Sequence, residues 1–450
     1  MHQKHAINPN IDIISPAAYA DHETLLASYA RLRAEQPVAW VDNGEYAPFW
    51  AVTKHTDIVE VEKQHDLFIN GLRLTLLPKS IEEQASLEPK GLEALRMLFA
   101  LLRNSNRRWA DFQSLRRTNA QSGSGPGGKV RTVIHMDEPD HKKYRDLTHG
   151  WFMGRGVARL EGIIHDLARK FVDRMLEKDG RCDFAKDIAV WYPLEVIMTI
   201  LGLPAEDAPR LLVWSQQLLS ASDPELQKSE QYGQDVMLEM YEYFGKLIAD
   251  RRKRPMEDLT SVVVHAMVDD NPIELVDILS YFLIVATAGH ETTSSAIAGG
   301  MLAFIENPDQ FELLKTRPGL AKTAPDEVVR WVTPVRHFTR TATADYTLRG
   351  VDIAKGESLA IFYLSANRDA EAFDPDPNLF RIDRMPNRHL SFGHGVHHCL
   401  GRVLASLEIR CIIEELSRRI ATMELDGTPV WIASNFTGGL KQLPVRFRAA

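Results

Sequence analysis

The part of this chain with the clearest capacity for chemistry is the run SFGHGVHHCLGRVLA at 391–405. Glycines stand on both sides of Cys399, so the backbone can turn tightly around the sulfur and direct N–H groups towards it. Apolar residues at helical spacing in the run 400–420 predict a helix with the cysteine at its start, and the positive end of its dipole favours the thiolate. Such a thiolate is a suitable ligand for a heme iron. The alternative is a small buried side chain beside a glycine-rich turn.

A second group of reactive residues lies in the middle of one long predicted helix. The helix is predicted over 274–307, and its middle has the sequence AGHETT. Ala288 and Gly289 are small enough to let a flat cofactor approach, while Glu291 and Thr292 place an acid beside a hydroxyl. Such a pair can relay protons to bound dioxygen, and the threonine hydroxyl can open the local helical hydrogen bonds. The alternative is a solvated glutamate beside a tolerated β-branched residue.

Both runs resemble motifs of a known family. FGHGVHHCLG is similar to the cysteine-ligand loop FGxGxHxCxG of the cytochrome P450 superfamily, and AGHETT is similar to the oxygen-activation motif of that family. The resemblance implies that heme b (iron protoporphyrin IX) is the cofactor and that Cys399 is the ligand of its iron. It also places Phe392, Gly401 and Ala288 at the cofactor and makes the acid and the hydroxyl of AGHETT catalytic.

The heme of this family carries two propionate anions, whose burial requires cations. The resemblance assigns them to four side chains: His141 and Arg145 of an HxxxR motif on one helix face, Arg340, and His397 two residues before the cysteine. Each of the four could instead be an ordinary surface charge, since most charged side chains are exposed.

Glu327 and Arg330 form an ExxR pair on one predicted helix face. In the family that the chain resembles, this pair supports the cysteine loop from behind, together with an arginine of the run FRIDR at 380–384. We therefore assign the pair to structure and not to catalysis.

The composition is ordinary for a globular enzyme, with 44% hydrophobic and 25% charged residues among 450. A net charge of −8 argues against a nucleic-acid partner. Three cysteines, Cys182, Cys399 and Cys411, are too few for a disulfide framework or a zinc site and fit a reducing cytoplasm. The first residues contain no apolar segment of the kind found in signal peptides or membrane anchors.

The predicted fold is mainly α with a small β region, which is the α-rich cytochrome P450 fold, in a single domain over 1–450. Strand patterns occur at 49–53 and 346–362. The stretch 70–130 is long for this family and is expected to be an insert that roofs the substrate pocket, with a flexible Gly/Ser loop at 121–128.

Several further runs, among them SANRDAEAF and SNFTGGLKQLPVRF, resemble the bacterial branch that contains the terpineol-hydroxylating enzyme. The expected function is a heme-thiolate monooxygenase that hydroxylates a hydrophobic small molecule, a terpenoid or an alkyl or alicyclic hydrocarbon, with O2. No flavin or iron–sulfur domain is recognisable, so we expect electrons from a separate ferredoxin and ferredoxin reductase, with Arg402 and Arg410 offering positive charge to it.

Three alternatives stay open on the sequence alone. The chain could oxidise steroids, it could be a peroxide-driven peroxygenase, or it could be a heme-thiolate protein that binds a ligand without turnover. Arg336 is a candidate pocket residue that could pair with a substrate carboxylate, or a surface or propionate-facing arginine.

Overall fold

The computed structural model describes residues 7, 11–70, 73–80, 132–219, 223, 225 and 230–450. The chain divides into two compact units. The first unit comprises Met1–Leu76, Phe152–Val196 and Gly289–Ala450, and the second comprises Leu77–Trp151 and Ile197–Ala288. Most of the expected insert at 70–130, including the Gly/Ser loop, lies outside the described residues.

Helices form most of the described chain, as expected. They are α1 (Pro16–Ala20), α2 (His22–Glu35), α3 (His55–Lys63), α4 (Asp140–Phe152), α5 (Arg155–Ala158), α6 (Glu161–Leu176), α7 (Trp191–Leu201), α8 (Ala208–Leu219), α9 (Glu230–Lys253), α10 (Leu259–Val264), α11 (Leu275–Glu306), α12 (Pro308–Thr316), α13 (Ala324–Val332), α14 (Tyr363–Ala366) and α15 (Arg402–Arg419). None of these helices is long and apolar enough to cross a membrane.

The strands are short. They are β1 (Val38–Val41), β2 (Phe49–Val52), β3 (Phe68–Ile69), β4 (Arg181–Asp183), β5 (Met267–Val268), β6 (Asn271–Pro272), β7 (His337–Ala342), β8 (Tyr346–Leu348), β9 (Val351–Ile353), β10 (Ser358–Phe362), β11 (Ile420–Leu425), β12 (Val430–Trp431), β13 (Leu440–Gln442) and β14 (Pro444–Ala449). The larger sheets have the orders β1-β2-β10-β7-β3 and β11-β14-β4. The fold class predicted from the sequence, mainly α with a small β region, is confirmed.

The five-stranded sheet separates two apolar clusters of the first unit. Alternate residues of a strand point to opposite faces. Accordingly, Ala360 and Phe362 of β10 pack with α1 and α2, whereas Leu359 and Ile361 pack on the opposite side with Val61 of α3 and their neighbours. The same sheet therefore fixes α3 on one side, and β7 lies next to β10 within it.

The predicted strand patterns are present, but several other strands were not predicted. Strand β2 occupies the first pattern, and the second pattern contains β8, β9 and β10. Arg349 and Gly350 both have positive φ, 48° and 77°, which is the geometry of a two-residue hairpin turn between β8 and β9. The missed strands are β1, β3, β4, β5, β6, β7, which carries Arg340, and the strands after residue 419.

The long helix α11 packs closely on α13 through two glycines. A Cβ on Gly299 would lie 2.7 Å from a methyl carbon of Val332, and a Cβ on Gly300 would lie 2.7 Å from one of Val328. Because valine is stiff at χ1, these methyl groups cannot turn aside at low cost. The glycines therefore set the closeness of the two helices.

Candidate active site

The loop before α15 presents Cys399 on a tightly turned backbone. Gly393 and Gly395 have φ of 70° and 69°, a left-handed conformation that glycine adopts without strain. The Cys399 N–H donates to the Phe392 carbonyl at 2.8 Å. Gly401 is the N-cap residue of α15, so the helix starts at Arg402, three residues after the cysteine and two residues later than predicted. Cys399 is half-buried and forms no disulfide.

A short 3-10 turn at Gly395–His397 lies against α3. A Cβ on Gly395 would lie 2.3 Å from the carbonyl oxygen of Glu62, a distance that excludes any side chain without movement of the backbone. Glycine is therefore required at position 395 for two reasons: the left-handed φ and the lack of space for a Cβ.

The ExxR pair of α13 is fully buried and bidentate. Arg330 Nε and Nη2 donate to the two carboxylate oxygens of Glu327, both at 2.7 Å. Burial acts to raise the pKa of Glu327, but the hydrogen bond and charge of Arg330 outweigh it and hold the pKa below its ordinary value. Arg384 Nε also lies 3.3 Å from Glu327 Oε2. Arg381 donates its backbone N–H to Glu327 Oε1 at 2.8 Å.

This network is connected to the cysteine loop through Asn367 and Ser391. Arg330 Nη1 donates to the Asn367 carbonyl at 2.8 Å, and the Asn367 side chain accepts from the Leu390 N–H and donates to the Ser391 hydroxyl. The Ser391 hydroxyl donates in turn to the Val329 carbonyl of α13 at 2.8 Å. The network holds the start of the loop against α13, which is a structural role.

Helix α11 was predicted to within one residue at each end. Most of its central side chains are buried, but Val285, Ala288, Gly289 and Thr292 are at least partly accessible and lie on one face at i, i+3, i+4 and i+7. Glu291 is 7% exposed, so the alternative of a solvated helix charge is wrong.

Helix α11 runs without a break in its assignment through AGHETT, and the opening of its hydrogen bonds by the Thr292 hydroxyl stays a prediction. Neighbouring hydroxyls donate to carbonyls one turn back: Thr293 to Gly289 at 3.2 Å and Ser295 to Glu291 at 2.8 Å. Such bonds fit within a regular helix and do not require a break in it.

The four candidate propionate ligands occupy both compact units. His141 and Arg145 are on α4 in the second unit, where the His141 ring is hydrogen-bonded to Glu138 at 3.2 Å and burial lowers the pKa of His141. Arg340 and His397 lie in the first unit. His141 and Arg340 are buried and Arg145 and His397 are half-buried, so an ordinary surface charge is wrong for the first two.

Arg336 has a structural role that the sequence did not reveal. It is 1% exposed, and its Nη1 donates to the Val332 carbonyl at 2.7 Å. Arg368 donates to the carbonyls of Arg330 and Trp331. The two arginines thus satisfy carbonyls in the last turn of α13, where a cation is also favoured by the helix dipole. The surface position considered for Arg336 is wrong.

Comparisons with known proteins agree with the motifs. The family model described as Cytochrome P450 matches residues 320–436. Cytochrome P450-terp of Pseudomonas sp is 37% identical over 97% of this chain and 97% of its own length. The chain belongs to the cytochrome P450 family.

Two further relatives of this P450 extend the comparison. The steroid C26-monooxygenase of Mycobacterium tuberculosis is 30% identical over 98% of this chain and 93% of its own length. The crystal structure of CYP108D1 from Novosphingobium aromaticivorans has a TM-score of 0.82 at 36% identity and covers 97% of both chains. The P450 is therefore a monooxygenase of the bacterial superfamily, as the sequence predicted, and heme b is its cofactor.

The residues of this P450 fit that cofactor. A cysteine on a loop with left-handed glycines supplies a soft iron ligand. The accessible face of α11 consists of small residues that a planar ring can approach, and Arg340 is a buried cation. Among the described residues, no group of three or more His, Cys, Asp or Glu side chains could hold a bare metal ion instead.

Two residues of this P450 beside the loop were missed. Glu62 of α3 and Tyr363 of α14 are buried next to Arg340. Both lie outside the motifs and about 300 residues apart in sequence, and no local pattern in the sequence indicates their contact.

Proposed function

We propose that this P450 is a heme-thiolate monooxygenase that hydroxylates a hydrophobic small molecule, a terpenoid or an alkyl or alicyclic hydrocarbon, with O2 and electrons from a ferredoxin. The observation that carries the proposal is the geometry of the cysteine loop, with two left-handed glycines and the Cys399 N–H bonded to Phe392. The proposal places one P450 domain over 1–450 in a reducing cytoplasm.

When bound, the heme supplies the activation of dioxygen. In the proposal, Cys399 holds the iron, with Phe392 and Gly401 shaping the loop around the sulfur. The propionates are bound by His141, Arg145, Arg340 and His397. The small side chain of Ala288 leaves room for the flat heme ring to approach α11.

Glu291 and Thr292 deliver protons in this proposal. Cleavage of the O–O bond requires proton transfer, and an acid next to a hydroxyl on one helix can hold and pass a proton in short steps. The protons come from solvent, and the burial of Glu291 supports this role because a buried carboxylate passes a proton on through few neighbouring groups.

The Thr292→Ala variant tests the relay. We expect product formation to fall by about a hundredfold, the usual contribution of a general acid, while oxygen uptake continues and hydrogen peroxide accumulates. Thr293→Ala is the matched control, since its hydroxyl is bonded to Gly289 within the helix. Unchanged coupling of electrons to product in Thr292→Ala would remove the relay assignment.

The terpenoid substrate is supported by the identity of 37% to Cytochrome P450-terp, compared with 30% to the steroid C26-monooxygenase. Terpenoids, alkylarenes and steroids are to be screened for a low- to high-spin shift of the ferric heme, and the hits assayed for product with ferredoxin and reductase. A steroid-sized hit would favour the steroid alternative. Product formed with peroxide alone would favour a peroxygenase, and no product would favour a ligand-binding protein.

Arg402 is the better candidate of the two arginines for contact with an acidic ferredoxin. Arg410 is paired with Glu161 and lies 3.9 Å from Glu414, so its charge is compensated within the P450. We expect Arg402→Gln to slow electron transfer and weaken its salt dependence. Arg410→Gln should change the rate of electron transfer and its salt dependence less than Arg402→Gln does. A larger effect of Arg410→Gln would contradict this assignment.

A further inference from the structure

Glu62 is a buried carboxylate at the point where α3, β7, α14 and the cysteine loop meet. Its side chain is 1% exposed. Its Oε1 accepts from Arg340 Nη2 at 2.9 Å and from the Tyr363 hydroxyl at 2.7 Å. Glu62 Oε1 also lies against the cysteine loop, 3.7 Å from the position of a Cβ on Gly393. The carboxylate therefore bonds to an arginine of the cofactor site and packs against the loop that carries Cys399.

This ion pair leaves donors on Arg340 for a second anion. An arginine has five N–H donors. Of these, Nη1 donates to the Thr339 carbonyl and Nη2 to Glu62, at 2.9 Å each. A heme propionate, which the proposed function assigns to Arg340, would share the guanidinium with the Glu62 carboxylate.

The charge of Glu62 is poised to change near neutral pH. Burial raises the pKa of Glu62 to about 7, although the charge of Arg340 and the bond from Tyr363 act to lower it. Glu62 bonds to Arg340 from β7 and Tyr363 from α14 and packs against the cysteine loop at Gly393, next to His394. Burial raises the pKa of Tyr363 well above 10, so this hydroxyl stays protonated while Glu62 titrates, and burial lowers the pKa of His394.

We propose that Glu62 is a positioning residue that holds Arg340 beside the cysteine loop, and that its charge state tunes the reduction potential of the bound heme. The inference rests on the proposed function, in which Arg340 binds a propionate. With Glu62 ionised, the charge of Arg340 is compensated. With Glu62 protonated, that positive charge acts on the heme alone and favours the ferrous state, because reduction adds a negative charge.

The test is the midpoint potential of the heme-loaded, full-length protein measured across the neutral pH range. In the wild type we expect the potential to fall with rising pH, with an inflection near neutrality. In Glu62→Gln the inflection is lost. The potential then stays at the acid limit of the wild type, so that at alkaline pH the ratio of ferrous to ferric protein is higher by about tenfold at a fixed potential, equivalent to about 59 mV.

Glu60→Gln is the matched control, because Glu60 lies on the same helix and is exposed. It should reproduce the wild-type curve. Tyr363→Phe is a second variant that leaves the Glu62 carboxylate in place. Loss of the hydroxyl donor raises the pKa of Glu62, so the inflection should move to higher pH. This variant decides the question if Glu62→Gln cannot bind heme.

An unchanged curve in Glu62→Gln, or an unmoved inflection in Tyr363→Phe, would overturn the inference. The spectrum of the reduced carbon monoxide complex separates this result from failure of the proposed function. A wild-type protein with the red-shifted Soret band of a thiolate ligand and no effect of Glu62 refutes the inference alone, whereas a wild-type protein without that band refutes both.

Discussion

The two glycines before Cys399 provide a sharp test of how the loop is built. Both have nearly the same left-handed φ, 70° for Gly393 and 69° for Gly395. They differ in the space around them. A Cβ on Gly393 would have its nearest neighbour at 3.6 Å, which is ordinary contact, whereas a Cβ on Gly395 would lie 2.3 Å from the Glu62 carbonyl oxygen. Alanine therefore adds the same backbone strain at both positions and a steric clash at only one.

The expected costs follow from these distances. A left-handed alanine costs about 1–2 kcal/mol relative to glycine, so Gly393→Ala should lose about that much stability. In Gly395→Ala the loop must move by about 1 Å to restore contact distance, which adds about 1–3 kcal/mol, as overpacking does in protein cores. This movement also displaces the backbone that positions Cys399.

The assay is urea unfolding of the heme-loaded proteins, with heme content and the carbon monoxide spectrum measured in parallel. The unfolding midpoints should fall in the order wild type, Gly393→Ala, Gly395→Ala, and only the last variant should lose a large part of its thiolate spectrum. Equal midpoints and spectra for the two variants would show that the loop can leave α3 at no cost, and the steric reasoning would be wrong.

Two further predictions concern buried charge. Arg330→Lys cannot reproduce the bidentate bond to Glu327 and leaves a buried carboxylate poorly paired, so we expect a loss of about 3–5 kcal/mol in unfolding experiments. His290 and His337 are neutral when folded, because burial lowers the pKa of each to about 4. The unfolded chain therefore binds more protons below about pH 6.5, and the unfolding free energy should fall as the pH drops from there towards 4, by up to about 1.4 kcal/mol per pH unit for each histidine. The unfolding free energy of His337→Gln should fall less steeply between pH 6.5 and 4 than that of the wild type. An unchanged dependence on pH would contradict the view that His337 is neutral in the folded protein.

The sequence was most informative where function requires a local pattern. The loop around Cys399 needs glycines at fixed positions in the chain, so its motif was recognised, and helix α11 needs a long apolar run, so it was predicted to within one residue at each end. The strand pattern at 346–362 contains the hairpin turn at Arg349 and Gly350, where the positive φ of both residues marks the turn.

The sequence was least informative where buried polar residues contact residues that are far away in the sequence. Strand β7 contains His337, Thr339 and Arg340, which are buried although they are polar, and this hides the pattern of a strand. The bond between Glu62 and Tyr363 joins positions 301 residues apart. The cost of burying a charge favoured a surface or propionate-facing position for Arg336. In the structure Arg336 is buried, and its hydrogen bond to a carbonyl at the end of α13 offsets part of that cost.

The contact of Gly299 and Gly300 with Val332 and Val328 has a consequence for engineering the enzyme. It divides α11 into a part that tolerates diversification and a part that does not. A library randomised at Val285 explores an accessible position, whereas any side chain added at the two glycines forces α11 and α13 apart. Random mutagenesis selected for folded protein should therefore leave these glycines nearly invariant while accessible positions such as Val285 accept change.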